Sequence, residues 1–192
     1  MSEAQFILAS KSPRRADLLR SVGFKFLIEP ADIDESLKVG EGPRDYVRRM
    51  ARSKARHIRA DLAVLGADTI VHVDGEVLGK PADRGQAISF LDRLSGREHE
   101  VMTAVAISLR DRIEIVDVVT KVHFRDLKSG EAARYWATGE PLDKAGGYGL
   151  QGVGAVFVDQ VIGSYCAVIG LPLGETERLL SSFGVDTWRN RA

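Results

Sequence analysis

Two hydroxyl side chains and two guanidinium groups occur within one short segment near the start of the chain, Ser10-Lys11-Ser12-Pro13-Arg14-Arg15. The segment follows an apolar run and precedes a helical pattern, which indicates a strand-to-helix junction. Exposed N–H groups and the positive end of a helix make such a junction an anion site. Arginine forks match the oxygens of a polyphosphate. The segment is therefore either a polyphosphate-binding loop or an ordinary N-capped helix with surface arginines.

Lys54 lies in the middle of an apolar stripe. It follows Met50 by four residues and precedes Ile58 by four, which is the spacing of one helix face. A lysine on such a face either extends to the surface or faces a cleft where an anion satisfies its charge. Because the first segment already indicates an anion, we favour the cleft.

Asp68 lies inside the most apolar segment of the chain, within Gly66-Ala67-Asp68-Thr69. Burying a carboxylate is unfavourable unless it binds a metal, pairs with a cation or acts as a base. A carboxylate that binds Mg²⁺ or Mn²⁺ can position a water and offset phosphate charge. We interpret Asp68 as a functional acid, and the alternative is an aspartate that caps a turn at the exposed end of the strand.

Other polar segments give weaker signals. Gly79-Lys80-Pro81 is not a Walker A loop, because a proline replaces the Ser or Thr that binds magnesium. The segment 147–152 matches G-x-G-x-x-G but precedes a strand and not a helix, so it lacks the context for binding a dinucleotide. The four histidines are scattered without zinc-ligand spacing.

The elements that must position these residues alternate between strands and helices. In the first half, the pattern predicts strands over 6–9, 25–29 and 63–73, a helix from Pro13 to Gly23 with Ser12 as N-cap, and a helix from Pro43 to about Asp61. Asp74-Gly75 predicts a tight turn into the segment 76–78.

The second half of the chain adds a long hairpin. The pattern predicts helices from about Asp83 to Gly96, Glu131 to Ala137 and Glu175 to Phe183, hairpin strands Val101–Leu109 and Ile113–Phe124, a glycine-rich loop Gly146–Gly154 and a strand Ala155–Ile162. Because the hairpin interrupts a doubly wound pattern, we predict an α/β fold with a mixed sheet and helices on both faces. The length suits a single domain, 1–192, or two lobes sharing one core.

The composition argues against several classes of protein. The 192 residues include 27 basic and 27 acidic side chains, so no overall charge attracts nucleic acid or an anionic membrane. The segment Met1 to Phe6 carries Glu3 and no basic cluster, unlike a signal peptide. With only one cysteine, Cys166, the chain suits a reducing compartment, and we predict a cytoplasmic protein. The arginine-rich run from Arg44 to Arg59 is predicted to be mainly a solvated helix face.

The chain resembles the Maf proteins from roughly Phe6 to Phe183. The matching segments are ILASKSPRRADLL, ARSKA, VLGADTIVHVDGEVLGKP, LSGREHEVMTAVA, EPLDKAGGYGLQGVGAVFV and GSYCAVIGLPLGET. The resemblance implies a two-lobed α/β fold like that of the inosine-triphosphate pyrophosphatases, with an elongated mixed sheet flanked by helices around a central cleft. It also implies a homodimer that hydrolyses nucleoside triphosphates between the α and β phosphates with a divalent metal, Mg²⁺ or Mn²⁺.

The resemblance further implies roles for individual residues. The family's catalytic acidic residue matches Asp68, and Glu35 is the best match for a second metal-binding acid. The phosphate-binding positions match Ser10, Ser12, Arg14, Arg15, Lys54 and Lys80.

Three positions separate branches of the family, and here they are Arg14, Thr69 and Gln151. These residues resemble the branch that acts on dTTP and UTP. The branch that acts on 7-methylguanosine triphosphate has an aromatic residue, Gln and Glu at the matching places. The Gln151 amide can both donate to and accept from a uracil or thymine edge, whereas an ionised glutamate can only accept. We therefore expect a dTTP and UTP pyrophosphatase.

Two other functions stay open at this point. The first is a non-catalytic regulator of septum formation or cell division that acts through a protein partner. Such a regulator would need neither Lys54 on an apolar stripe nor Asp68 in a core strand. The second is nucleic-acid binding through the arginine-rich helix, against which stand the zero net charge and the lack of stacking aromatic residues in that helix.

Overall fold

The computed structural model of the protein describes residues 4–189. The chain forms two compact units, each assembled from segments that are distant in sequence. The first comprises Met1–Asp68, Thr103–Val118 and Gly170–Ala192, and the second comprises Thr69–Met102 and Val119–Ile169. Residues 1–3, which carry part of the argument about a signal peptide, lie outside the described residues. Across residues 4–189, no helix combines the length and apolar character that crossing a bilayer requires.

Within the described residues, seven strands form one mixed sheet. They are β1 (Phe6–Leu8), β2 (Phe26–Ile28), β3 (Ala63–Val73), β4 (Glu76–Leu78), β5 (Glu98–Leu109), β6 (Arg112–Phe124) and β7 (Val158–Ile162). The order is β2-β1-β3-β5-β6-β7, and β4 pairs with β3 outside this order. Strand β1 is parallel to β2 and β3, whereas the β3–β4 and β6–β7 pairs are antiparallel.

Helices flank the sheet. They are α1 (Pro13–Ser21), α2 (Pro43–His57), α3 (Arg84–Leu94), α4 (Glu131–Trp136), α5 (Tyr165–Ile169) and α6 (Leu173–Ser182), with short 3-10 helices at Glu140–Asp143, Ala145–Gly147 and Val153–Phe157. The predicted mixed α/β fold is therefore confirmed.

Several element ends differ from the sequence-based prediction. Helix α2 ends at His57 and not near Asp61, because the backbone of Ile58 is extended, with φ −94° and ψ 129°. Strand β7 begins at Val158, since a 3-10 helix takes up Val153–Phe157, where a strand was predicted from Ala155. Helix α5 was not predicted, because its five residues are too few to show a helical period.

The Asp74-Gly75 turn is confirmed. The two residues have φ of 53° and 80°. A two-residue hairpin turn of type I′ needs positive φ at both central positions, which Asp and Gly tolerate better than most residues. The turn joins β3 to β4 and so leads to the segment that carries Lys80.

An apolar cluster in the first unit supports the loop after β1. Ile7 and Ala9 of this segment pack with Ile58, which follows α2, and with Val64 of β3. The Ala9 N–H donates to the Leu65 carbonyl at 2.8 Å, which continues the β1–β3 pairing past the end of the strand. The chain therefore leaves β1 in a fixed direction, and the segment from Ser10 to Arg15 follows at once.

The second unit has a core rich in aromatic rings. Phe124 packs edge-on against Tyr148 with ring centroids 4.7 Å apart, and Tyr135 packs edge-on against Phe157 at 5.1 Å. His99 of β5 is buried among these rings, and its Nε2 lies 2.7 Å from the Tyr148 hydroxyl oxygen. Its Nδ1 has no hydrogen-bond partner among the described residues.

We expect the buried His99 ring to make the protein less stable as the pH falls from 7 to 4. Burial, together with a smaller effect of the charge of His123, lowers the pKa of His99 to about 4. The unfolded chain binds a proton near the ordinary histidine pKa of 6.5, whereas the native ring stays neutral down to about 4. The unfolded state therefore binds more protons in this window, which reduces the free energy of unfolding by about 3 kcal/mol.

Urea unfolding of the native protein and of His99→Gln between pH 4 and pH 8 measures this effect. The glutamine cannot bind the proton, so its curve should fall less steeply over the window. Carboxylates contribute equally to both curves and cancel in the difference. Parallel curves for the two proteins would contradict the prediction.

Candidate active site

The segment between β1 and α1 is built around the Ser10 hydroxyl. Ser10 is buried, and its Oγ accepts hydrogen bonds from the Ser12 N–H and from Arg15 Nη1, both at 3.2 Å. Pro13 stands at the first helical position, as predicted. Ser12 stands at the N-cap position, but its side chain makes no capping bond. The predicted N-capping role of the Ser12 side chain is therefore wrong, and the Ser10 hydroxyl organises this turn.

Arg15 is a fixed and buried cation. Its Nε donates to the Gly170 carbonyl at 2.9 Å, in addition to the bond to Ser10. Burial lowers the pKa of Arg15, the charge of Asp68 raises it, that of Arg14 lowers it and that of Glu35 raises it. These electrostatic interactions show that the Arg14 and Arg15 guanidiniums share one region of the first unit with the two predicted metal-binding acids.

Lys54 connects the two predicted acids directly. Its Nζ lies 2.7 Å from Asp68 Oδ1 and 2.7 Å from Glu35 Oε1. The exposed fractions of the Lys54 and Asp68 side chains are 10% and 13%, whereas that of Glu35 is 52%. Lys54 therefore does not extend into solvent, and Asp68 does not cap an exposed turn. The lysine and the aspartate form a nearly buried ion pair, and the glutamate reaches it from the surface.

Gly66 brings Lys54 and Asp68 together, because it lets α2 pack directly on β3. A Cβ added at Gly66 would lie 3.0 Å from the Ala55 Cα and closer still to the Ala51 carbonyl oxygen. Both neighbours are helix backbone, so neither can rotate away as a flexible side chain could. The close approach places Lys54 of α2 within hydrogen-bonding distance of Asp68, two residues beyond Gly66.

We expect Gly66→Ala to impair both the stability of the protein and the nucleoside triphosphate pyrophosphatase activity that the sequence predicts. The added methyl group must push α2 away from β3, and overpacking of this kind lowers the free energy of unfolding by about 1–3 kcal/mol. A displacement of roughly 1 Å at Lys54 should reduce kcat/KM by about 10²-fold. Gly174→Ala in α6 is a matched control, since the nearest atom there is an Arg178 side-chain nitrogen at 3.6 Å. Unchanged kcat/KM in Gly66→Ala would contradict the prediction.

A second set of contacts, which the sequence did not predict, fixes the loop that carries Glu35. The Tyr46 hydroxyl donates to the Glu35 carbonyl at 2.9 Å. The Arg49 guanidinium donates to both carboxylate oxygens of Glu41 at 2.5 Å and to the Ser36 carbonyl at 2.9 Å. Burial raises the pKa of Tyr46 to about 12, and the charges of Asp68 and Glu35 add to this effect. Helix α2 therefore positions Glu35 as well as Lys54.

The arginine-rich run of α2 is only partly the solvated face that was predicted. Arg44 Nε lies 2.8 Å from Asp117 Oδ2, and Arg48 pairs with the other oxygen of the same carboxylate. The side chain of Asp117 is only 4% exposed. These two arginines and Arg49 therefore bind acids within their own unit, which leaves less basic charge for a nucleic acid.

Thr69, Lys80 and Gln151 belong to the second unit. The Gly146 N–H donates to the Gly79 carbonyl at 3.0 Å, which links the glycine-rich loop Gly146–Gly154 to the residue before Lys80. Gln151 is exposed in this loop, and no hydrogen bond joins its side chain to another described residue. Its amide can therefore hydrogen-bond to a ligand without first breaking an internal contact.

Comparison with known proteins shows which family the chain belongs to. The model of the Maf-like protein family matches residues 5–183. The chain belongs to this family. A dTTP/UTP pyrophosphatase of Hahella chejuensis is 45% identical over 190 residues, which are 96% of this chain and 94% of that protein.

Two further relatives carry the same name. Proteins named dTTP/UTP pyrophosphatase from Saccharophagus degradans and Pseudoalteromonas atlantica are 47% and 50% identical. The alignments cover 100% and 91% of this chain, and 94% and 95% of the respective relatives. Among solved structures, the Staphylococcus aureus Ham1 protein has a TM-score of 0.46 and 14% identity over 66% of this chain and 74% of that chain.

The acids of this Maf-family chain fit a metal that is shared with a substrate. Asp68 and Glu35 both contact the Lys54 ammonium, so an oxygen of each acid lies beside the same cationic group. Mg²⁺ keeps several waters and is bound by one or two carboxylates together with substrate phosphates. Across residues 4–189, no group of three or more His, Cys, Asp or Glu side chains is arranged to bind a metal. The donor set therefore suits a metal completed by water and phosphate oxygens.

Proposed function

We propose that the protein hydrolyses dTTP and UTP to the monophosphate and pyrophosphate, with a divalent cation, Mg²⁺ or Mn²⁺. Two observations support this function: relatives that align over 91% to 100% of the chain carry that activity in their names, and Lys54 is held between Asp68 and Glu35 beside the buried Arg15. The geometry carries the proposal, because a nearly buried ion pair beside further cations suits a phosphate substrate. We further propose that the enzyme is a cytoplasmic homodimer.

The first unit supplies most of the groups that neutralise phosphate charge. Arg14, Arg15 and Lys54 bring three cations to the segment where Ser10 and Ser12 offer hydroxyls. Arg15 is already oriented by Ser10 and Gly170, so little conformational entropy is lost when it binds an anion. Lys80 of the second unit is proposed as a further phosphate ligand. Fixed positive charge of this kind stabilises the extra negative charge that develops on the leaving pyrophosphate.

Asp68 is the group proposed to act on water. The water oxygen attacks the α-phosphorus, the bond from that phosphorus to the bridging oxygen breaks, and pyrophosphate leaves with the bonding electron pair. Asp68 orients the water and accepts its proton, which general bases in proteins do with a gain of about 10²–10⁴-fold. A metal bound by Asp68 and Glu35 would offset phosphate charge and make the water more acidic.

The choice of base is assigned to Arg14, Thr69 and Gln151. The Gln151 amide matches the edge of uracil or thymine, which presents both acceptors and an N–H donor. A base that leaves such an amide without a partner is disfavoured. Thr69 follows Asp68 directly in β3, so its backbone position is fixed by the same strand.

A nucleotide panel tests the proposal. The purified protein is incubated with dTTP, UTP, CTP, dATP and GTP in Mg²⁺, in Mn²⁺ and in EDTA, and release of pyrophosphate and monophosphate is measured. We expect metal-dependent release from dTTP and UTP and little from the others. Turnover of another base would keep the chemistry and overturn the base assignment. If folded protein turned over no nucleotide, the hypothesis of a non-catalytic division regulator would replace this one.

A further inference from the structure

The carboxylate of Glu140 fixes the chain on the C-terminal side of Gln151. Glu140 begins the 3-10 helix Glu140–Asp143. Its Oε2 accepts a hydrogen bond from the Val153 N–H at 2.8 Å, and its Oε1 accepts one from the Gly154 N–H at 3.1 Å. Val153 follows Gln151 by two residues. One arm of the glycine-rich loop therefore ends on this carboxylate.

The arm on the N-terminal side of Gln151 ends on the same carboxylate through Tyr135. The Tyr135 hydroxyl donates to Glu140 Oε1 at 2.8 Å and accepts from the Gly149 N–H at 3.0 Å. Tyr135 is buried, and its ring packs edge-on against Phe157. The hydroxyl therefore cannot move without disturbing the core of the second unit, and it provides a rigid link from Glu140 to Gly149.

The glycines of the loop are the residue type that this arrangement requires. A Cβ added at Gly152 would lie 2.7 Å from the Glu140 Cδ, and one added at Gly154 would lie 2.5 Å from the Tyr135 hydroxyl oxygen. Both distances are shorter than packed side chains allow, so any larger residue would displace the carboxylate or the hydroxyl. The loop thus closes tightly around Glu140 on both sides of Gln151.

Glu140 makes these contacts as a charged group. Burial raises the pKa of Glu140, but the hydrogen bonds from Tyr135, Gly154 and Val153 lower it by more, so the pKa lies below its usual value. Hydrogen bonds to an ionised acceptor are stronger than those between neutral groups. A glutamine at this position would have only one acceptor oxygen, and at least one of the three donors would lose its partner.

We propose that Glu140 is a positioning residue for base recognition, which fixes the backbone that carries Gln151 without contacting the nucleotide. Gln151 has no side-chain hydrogen bond to another described residue, so the backbone on either side determines the direction in which its side chain leaves the loop. Glu140 anchors that backbone on both sides. The inference rests on the proposed role of Gln151 in binding uracil or thymine.

Amide hydrogen exchange tests the anchoring itself. In Glu140→Gln, at least one of the Gly149, Val153 and Gly154 amides should exchange at least about tenfold faster than in the native protein, because the single amide oxygen of glutamine cannot accept all three hydrogen bonds. Asp143→Asn is the matched control, since this carboxylate stands in the same 3-10 helix but pairs with Lys144 Nζ at 2.7 Å. Unchanged exchange of the three amides in Glu140→Gln would overturn the proposal.

Steady-state kinetics with UTP and CTP test the link to base recognition. Glu140→Gln should raise KM for UTP about tenfold and reduce the preference for UTP over CTP, with kcat changed less than about threefold. In a Gln151→Ala background, the same substitution should not reduce the preference further, because the residues act as one unit. A merely structural defect would instead change kcat for both nucleotides, and its effect on kcat would multiply with the effect of Gln151→Ala.

The outcomes separate this inference from the proposed function. Faster exchange of the loop amides with an unchanged UTP preference in Glu140→Gln would overturn the positioning role. If Gln151→Ala itself kept the UTP preference, the proposed role of Gln151 would fail and the link to base recognition with it. The exchange measurement would still decide whether Glu140 anchors the loop.

Discussion

Replacing Asp68 with asparagine should lower the rate of pyrophosphate release from UTP by about 10³-fold, the middle of the range for loss of a general base. The amide cannot accept a proton from water, and it is a poorer ligand for a hard cation than a carboxylate. Its oxygen can still accept the hydrogen bond from Lys54 Nζ, which is 2.7 Å long in the native protein. The substitution therefore removes the chemistry while it keeps the shape of the site.

The stability of the variant shows whether the loss is chemical. Lys54 keeps its ion pair with Glu35, so we expect the midpoint of urea unfolding of Asp68→Asn to change little. Asp61→Asn is the control, because Asp61 is an exposed carboxylate in the same unit. The Asp61→Asn variant should release pyrophosphate from UTP at the native rate. An Asp68→Asn enzyme with more than about a tenth of native turnover would remove Asp68 from the role of base.

Replacing Gln151 with glutamate should reduce kcat/KM for dTTP and UTP by about 10²-fold or more. An ionised carboxylate cannot donate to a carbonyl oxygen of uracil or thymine, and an unpaired polar group at a recognition site is strongly disfavoured. Because Gln151 is exposed and bonded to no other described residue, the free energy of unfolding should change by less than about 0.5 kcal/mol. The measurement is kcat/KM for each nucleotide of the panel.

Gln160→Glu provides the matched control for this charge change. Gln160 is exposed on β7 in the same unit, and the substitution adds the same negative charge. A general electrostatic effect on binding an anionic substrate would reduce activity in both variants and for every nucleotide. Only Gln151→Glu should alter the ratio of UTP to purine turnover. An unchanged ratio in that variant would show that another residue selects the base.

The residues of the first unit that approach one another could be predicted largely from local sequence patterns. Strand β3 has the predicted bounds, since a long and mostly apolar segment rich in β-branched residues has few other solutions. The position of Lys54 on a buried helix face follows from a period of 3.6 residues. A buried lysine and a buried aspartate both need partners, and the structure pairs them with each other. The phosphate-binding and metal-binding roles of these residues stay predictions.

The contacts that orient these residues could not be predicted in the same way, because they join positions far apart in the chain. Arg15 binds the carbonyl of Gly170, and Arg48 binds Asp117. Nothing in the local sequence identifies such partners. Glu140 was missed as well, although it opens one of the segments that resemble the Maf family, and an acid in that segment, close to the glycine-rich loop, could have drawn attention to it.

Helix α2 is held at two places along its length, by the Asp117 carboxylate at Arg44 and Arg48 and by the Asp68 carboxylate at Lys54. Successive helical residues are rotated by about 100° around the axis. Inserting or deleting one residue between Arg48 and Lys54 would therefore turn the lysine a quarter of the way round or more while the arginines stayed anchored. Point substitutions on the outer face of the helix do not change the direction of Lys54 relative to the two arginines. The number of residues between the two anchors is thus more tightly constrained than the types of those residues. Insertions and deletions in natural relatives should therefore be confined to the loops on either side of the helix.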